Sequence, residues 1–366
     1  MKRRRAHLLT GAIGLAVVVL TFAVVLPKIA NYGDVWQTLE RLERPWLFAL
    51  AGAVLVNVVT YAPPWMIALP GLRFRQALPF TQASTALTYV APGGGIVGMA
   101  GSYGLLRTWG FKTTEVARAV TLTGIWNQLA NLLLPVVGVL LLSIEGERDA
   151  VLTTAAVVGA VVFTVAVGLL TLVLWSDSFA RSIGQVAERV LARAYGILRR
   201  QPPVAVPERL VALRRETVDL IRERWPSLTV AAVVGNLAVF LVLLVSLRGL
   251  GVGSSEITWA EAFAGWSLAR TLQLIPLTPG GVGPVELGLT GILVGFGGAN
   301  AGVVAAVLVY RAATVFPTLA LGLLTVAAWR RLGPRRTKEG VGEVLRNLAT
   351  DEGAEPQGRD VGRTPR

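Results

Sequence analysis

Apolar residues run along this chain in blocks of about twenty, separated by short basic or mixed-charge stretches. About twenty apolar residues is the length an α-helix needs to cross the hydrocarbon core of a bilayer. Leu8–Leu26 is the first block, behind Lys2, Arg3, Arg4 and Arg5. It is too long for a signal peptide and no small-residue cleavage site follows, so it reads as a retained helix. Trp46–Leu69 is the second block, and Pro63-Pro64 is expected to kink its inner end, because proline lacks the N–H a helix needs. Val116–Leu142, Ala150–Trp175, Leu228–Leu247 and Gly302–Trp329 bring the number of full spans to six.

Two further apolar segments are broken. Ala77–Gly101 contains Pro92-Gly93-Gly94-Gly95, and Trp259–Ala299 contains Pro279-Gly280-Gly281-Val282-Gly283. Lipid offers no partner for a released backbone N–H or C=O. A break at membrane depth therefore survives only where protein or a wet cavity covers it. Paired breaks in corresponding positions of two halves point to a transporter-like binding site. Pro92 and Pro279 lie 187 positions apart. The same offset pairs Gly94 with Gly281, Gly101 with Gly288, Gly110 with Gly297, Asn127 with Thr314 and Asn131 with Thr318. Each half reads as span, broken hairpin, long helix.

Charge orients the halves. Arg73, Arg75, Arg107 and Lys112 flank the first hairpin and mark the cytoplasm. The mixed-charge stretches 28–44 and 143–149 suit the outside. The first hairpin then enters from the cytoplasm and the second from outside, giving an inverted-topology repeat whose hairpins meet near the midplane. Repeat one covers about 46–142 and repeat two about 228–329. Between them, 176–227 forms a basic cytoplasmic linker with ten Arg against six acids. Its Phe179, Ile183, Val186, Val190 and Ile197 fall at helical spacing, which fits either an interfacial amphipathic helix or a solvated helix packed on the bundle. The membrane domain is 1–332, and the polar, Gly-rich tail 333–366 is expected to be disordered. The fold class is an all-α polytopic integral membrane protein with both termini cytoplasmic.

Composition agrees. Of 366 residues 53% are hydrophobic and 16% charged, with mean hydropathy +0.60, which is unlike an ordinary soluble domain. The net charge of +13 sits between spans, where it faces anionic lipid; no nucleic-acid module is present. The chain has no Cys, and its one His is His7. Disulfides, thiolate chemistry, a His-based triad and a multi-His metal site are excluded within one chain. No cofactor or metal site is expected.

Candidate functional residues gather near the second break. Arg311 lies within the last span, where an Arg should face the interior and have a partner. Glu286 is the nearest acid in sequence. Two readings stand: Arg311 binds a lipid phosphate while Glu286 balances it or meets a cationic headgroup, or the two form a structural ion pair. Arg270 and Gln273 share a helix face, so Arg270 either collects anionic headgroups or snorkels to the interface. Pro279, Gly280, Gly281 and Gly283 open the backbone so that helix N-termini face the cavity, a field suited to a phosphodiester; close helix packing is the plainer role of such glycines. Thr123, Asn127 and Asn131 form a stripe at i, i+4, i+8, lining a groove or bonding between helices. Asn57 and Asn236 read as bundle hydrogen bonds. Trp36, Trp46, Trp65, Trp175, Trp225 and Trp329 lie near span ends, as interfacial anchors do.

The run Leu277–Glu286, with Tyr310-Arg311 and Pro317 after it, resembles the signature of the transmembrane region of lysylphosphatidylglycerol synthases, the multiple peptide resistance factors. The resemblance covers roughly residues 5–332. It implies a flippase-like protein of the bacterial or archaeal cytoplasmic membrane that moves lipids between leaflets. Met99 stands where the family's first-half motif usually carries an acid, so a polar role for the first hairpin is not expected. Only 37 residues follow Trp329, too few for the synthase domain, so no synthase activity and no enzyme is expected. The function implied is translocation of a phospholipid, an aminoacylated lipid or a lipid-linked envelope intermediate. Its partners are membrane lipids with anionic headgroups and an envelope-biosynthesis enzyme. The rivals are a secondary transporter or channel for a small solute, and a non-transporting membrane partner of a lipid-modifying enzyme or glycosyltransferase. No P-loop is present, so movement is downhill, ion-coupled or driven by a partner.

Overall fold

The computed structural model describes residues 42–90, 94–145, 150–175, 206–272 and 283–332, with a few isolated positions besides. The expected first span Leu8–Leu26, most of the stretch 176–205 and the tail from Gly333 lie outside the described residues. So do residues 91–93 and 273–282, which hold Pro92, Gly93, Gln273, Pro279, Gly280 and Gly281.

Every regular element among the described residues is an α-helix. Helix α1 (Arg44–Thr60) starts with Pro45 in its first turn, where a missing N–H costs nothing. It stops before Pro63-Pro64, and α2 (Ala62–Ala68) restarts with those prolines in its own first turn. Then come α3 (Phe74–Val90), α4 (Gly94–Thr108), α5 (Thr113–Glu145) and α6 (Ala150–Trp175). After the linker follow α7 (Val206–Gly249), α8 (Trp259–Thr271), α9 (Pro284–Gly295) and α10 (Asn300–Leu332). Among the described residues four stretches are long and apolar enough to cross a bilayer: Arg44–Ala68, Thr113–Ile144, Leu220–Gly249 and Asn300–Thr325. The chain is an all-α, multi-pass membrane protein. Its outward faces are apolar, for example Val157, Val161, Val165 and Leu172 on α6 and Phe316, Leu323 and Leu324 on α10.

Both broken segments fold as antiparallel helical hairpins. In the first, the Ser84 hydroxyl donates to the Gly98 carbonyl at 3.0 Å and lies 2.6 Å from the Ser102 hydroxyl. In the second, α8 meets α9 where Gly265 faces Ile292 and Leu293 and Gly288 faces Leu272. At about 1.5 Å per residue, the 13 and 12 residues of α8 and α9 fall well short of a bilayer core of about 30 Å.

Several elements of the two halves match in length and position. Helices α5 and α10 are both 33 residues long, and they begin 187 positions apart at Thr113 and Asn300. Each follows a glycine with positive φ, Gly110 at +89° and Gly297 at +110°. These are conformations that glycine adopts at little steric cost as the chain leaves a helix. Packing is reciprocal: α3 of the first hairpin lies on α10, and α8 of the second lies on α5. Both crossings run through glycine. A Cβ on Gly322 of α10 would meet Ala86 Cβ at 2.5 Å, and one on Gly138 of α5 would meet Ala264 Cα at 2.8 Å. Helix α1 packs along α7, its counterpart. Among the described residues two large apolar cores result, one around Phe80, Leu106 and Leu122 and one around Leu243, Trp266 and Leu293, with a small third cluster of Leu142, Ala260 and Ala264.

One element extends beyond the sequence expectation. The end of the linker, from Val206, is not separate from the following span: α7 runs unbroken for 44 residues with Pro226 inside it. A proline removes one helix hydrogen bond and crowds the carbonyl four residues back, here Arg222. Buried Leu220 and Leu228 on either side pack into the first core and hold the helix through that defect.

Candidate functional site

The second break creates a cap and an ion pair from one carboxylate. Gly283 has φ +99°, a conformation strained for any residue with a Cβ. It delivers its N–H to Glu286 Oε2 at 2.7 Å. Glu286, third residue of α9, thus caps its own helix, as the acidic member of a capping box does, and complements the positive end of the helix dipole. Its other oxygen, Oε1, accepts from Arg311 Nε of α10 at 2.5 Å. Both side chains are 4% exposed. Sequence reasoning paired these two residues, and the structure brings them together; Arg311 has a further partner as well.

Beside Arg311, the Tyr310 hydroxyl accepts from Trp266 Nε1 of α8 at 3.1 Å. The Trp266 ring is buried against Phe240 and Phe263. One helical turn on, the Arg270 guanidinium lies over the same indole, 5.0 Å from the ring centroid, in cation–π contact. Arg270 Nη2 donates to Asn131 Oδ1 of α5 at 3.2 Å, and Asn131 Nδ2 donates to Gln128 Oε1 at 3.3 Å. Arg270 Nε is buried and has no hydrogen-bond partner. Arg270 thus turns inward, toward the junction of the halves.

The first half contributes two tyrosines. Tyr61 sits at the junction of α1 and α2, and Tyr89 near the tip of the first hairpin; both are within electrostatic reach of Tyr310 and Arg311, and Tyr61 also of Arg270. Described residues of both halves thus form one cluster of two guanidiniums, three phenols, an indole and one carboxylate. Guanidinium, phenol and indole groups are hydrogen-bond donors to oxygen, and the guanidiniums are positively charged.

Other expected residues fall differently. Asn131 joins the cluster through Arg270, but Asn127 one turn before is exposed and makes no hydrogen bond among the described residues. Thr123 bonds its own helix at the Ala119 carbonyl, 2.8 Å. Asn236 likewise bonds back to the Ala232 carbonyl at 2.8 Å. Asn57 is fully buried with both amide atoms unpartnered, and Gln82 Oε1 is in the same condition. Trp266, Tyr61 and Tyr89 did not emerge from the sequence. The spacing of Trp266 to Arg270 was a signal for the first, and for the tyrosines a phenol beside a proline break.

The family model for the lysylphosphatidylglycerol synthase TM region matches residues 11–322. A comparison with curated proteins found no match.

Proposed function

Because the chain belongs to the family of the lysylphosphatidylglycerol synthase TM region, a family of membrane proteins tied to lipid handling, we propose that it moves an amphipathic lipid between the leaflets of a bacterial cytoplasmic membrane. The observation that carries this reading is the polar cluster that residues of both halves form, Arg270 with Asn131, Trp266 with Tyr310 and Arg311 with Glu286, among helices with apolar outer faces. A headgroup occupies the cluster while its acyl chains stay in lipid. The hairpins belong to two inverted repeats, so the cluster is reached from either side in turn. Both termini lie in the cytoplasm.

The test is translocation in reconstituted liposomes. Labelled phosphatidylglycerol, aminoacylated phosphatidylglycerol and phosphatidylcholine are each followed for loss of inner-leaflet protection. At least one is expected to cross tenfold faster than in protein-free liposomes. If folded protein accelerates none of them, the reading fails and the small-solute transporter or the non-transporting partner takes its place.

The inverted orientation has its own check. Ser102 is 1% exposed and cannot serve as a reporter, but Lys112 and Ser255 are both exposed. In the Cys-free chain, Ser255→Cys is expected to react with an impermeant maleimide added outside, and Lys112→Cys only after permeabilisation. Equal labelling of both in intact cells overturns the assignment.

A further inference from the structure

The geometry points to Arg270 as the receptor for a lipid phosphodiester, in a site that takes headgroups of net negative charge and turns away aminoacylated, cationic ones. This rests on the lipid-handling reading above and adds the chemical class of the lipid.

Charge accounting carries the inference. The Arg311 charge is met by Glu286, whose two oxygens are both engaged, one by Arg311 and one by the Gly283 N–H. Arg270 has no carboxylate partner among the described residues. Its contacts are a neutral amide oxygen of Asn131 and the face of Trp266, neither of which cancels its charge. The stretches 91–93 and 273–282 contain no Asp or Glu, so neither can supply a counter-charge. A guanidinium has five N–H donors in a fixed fork. One is used by Asn131, and Nε is buried and unpartnered.

A cation held inward, half-buried and unneutralised, calls for an anion. The planar fork fits the two non-bridging oxygens of a phosphodiester, bound side by side. Trp266 holds the guanidinium in place from one face, and Tyr310 fixes Trp266. An aminoacylated headgroup brings an ammonium as well. Glu286, the acid in the cluster, already has its charge met by Arg311. A net-positive headgroup would therefore add repulsion from Arg270 with no compensating contact.

The experiment uses full-length protein in phosphatidylcholine nanodiscs and follows its thermal midpoint as lipid is added, since a ligand that binds the folded state raises that midpoint. The additions are phosphatidylglycerol, lysyl-phosphatidylglycerol and, in water, inorganic phosphate. Phosphatidylglycerol is expected to raise the midpoint with at least tenfold higher apparent affinity than the lysyl form, and phosphate alone to do little. Arg270→Gln keeps a partner for Asn131 and removes an uncompensated charge, so its midpoint without anionic lipid should match or exceed wild type while its response to phosphatidylglycerol is lost. Arg270→Lys should respond weakly, and Arg75→Gln, an exposed position, should respond as wild type.

Equal responses to the two lipids, or an undiminished response in Arg270→Gln, overturn the inference. A full response to inorganic phosphate overturns its lipid part. A protein that binds phosphatidylglycerol through Arg270 yet moves no lipid removes the translocation reading and leaves this one standing. Translocation that is unchanged in Arg270→Gln does the reverse.

Discussion

Arg311→Met destabilises the protein by about 3–5 kcal/mol, because it leaves a carboxylate buried without its cation. The Glu286 and Arg311 side chains are 4% exposed, so solvent does little to soften that loss. Glu286→Leu alone is damaging for the mirror-image reason, and it also removes the cap on Gly283. The double variant is the informative one. Replacing both charges with apolar side chains of similar size is often close to neutral, so most of the loss is recovered. What persists is the missing cap, about 0.5–2 kcal/mol. Thermal or denaturant unfolding in detergent measures all three. Additive losses in the double variant would show that the two residues do not act as a pair. The same protein separates the two roles considered for these residues: a double variant that folds but moves no lipid places the pair in the transport machinery, and one that still moves lipid makes it a structural tie between α9 and α10.

Gly322→Val costs about 1–3 kcal/mol by overpacking, and Gly138→Val costs a similar amount. A Cβ at Gly322 would stand 2.5 Å from Ala86 Cβ and 3.0 Å from the Gln82 carbonyl oxygen, and one at Gly138 would stand 2.8 Å from Ala264 Cα. The nearest atoms belong to the facing helix, so the two helices must separate. Gly322→Ala combined with Ala86→Gly should recover part of the loss, since the methyl moves from one side of the crossing to the other. Gly52 provides the contrast: nothing lies within 4 Å of a Cβ there. Gly52→Ala in α1 should be neutral or stabilising by up to about 1 kcal/mol. Unfolding midpoints read the whole set. Matched losses at 138 and 322 are what the reciprocal packing requires; loss at only one would make the correspondence of the halves superficial.

Four of the expected spans were legible because run length and hydropathy are properties of a short window. The pairing of Arg311 with Glu286 was legible for a different reason: a charge inside an apolar run needs a partner, and few acids are in reach. Gly110 and Gly297 were paired by sequence offset alone, and both prove to take positive φ. The continuation of α7 through Pro226 was hidden, because proline and a dense set of charges read locally as a boundary. The long-range partners that hold the helix through it, in the first core, lie far off in sequence. Asn131 and Arg270 were each singled out, but not as a pair; they are 139 residues apart. Trp266 went unnoticed because a tryptophan among apolar residues looks like core. It is core, and it also carries Arg270 on one face.

The reciprocal crossing has a consequence for how the protein is made. Helix α3 is complete once residue 90 leaves the ribosome, but the helix it packs on does not begin until Asn300. At about 5–20 residues per second, roughly ten to forty seconds separate the two events. Through that interval the first hairpin, with its Pro-Gly break, waits in the membrane without its permanent neighbour, while α8 finds α5 already in place. The nascent chain therefore has an order of vulnerability that the finished protein does not: its earliest hairpin is the last to be enclosed, and a membrane chaperone or protease would meet it first.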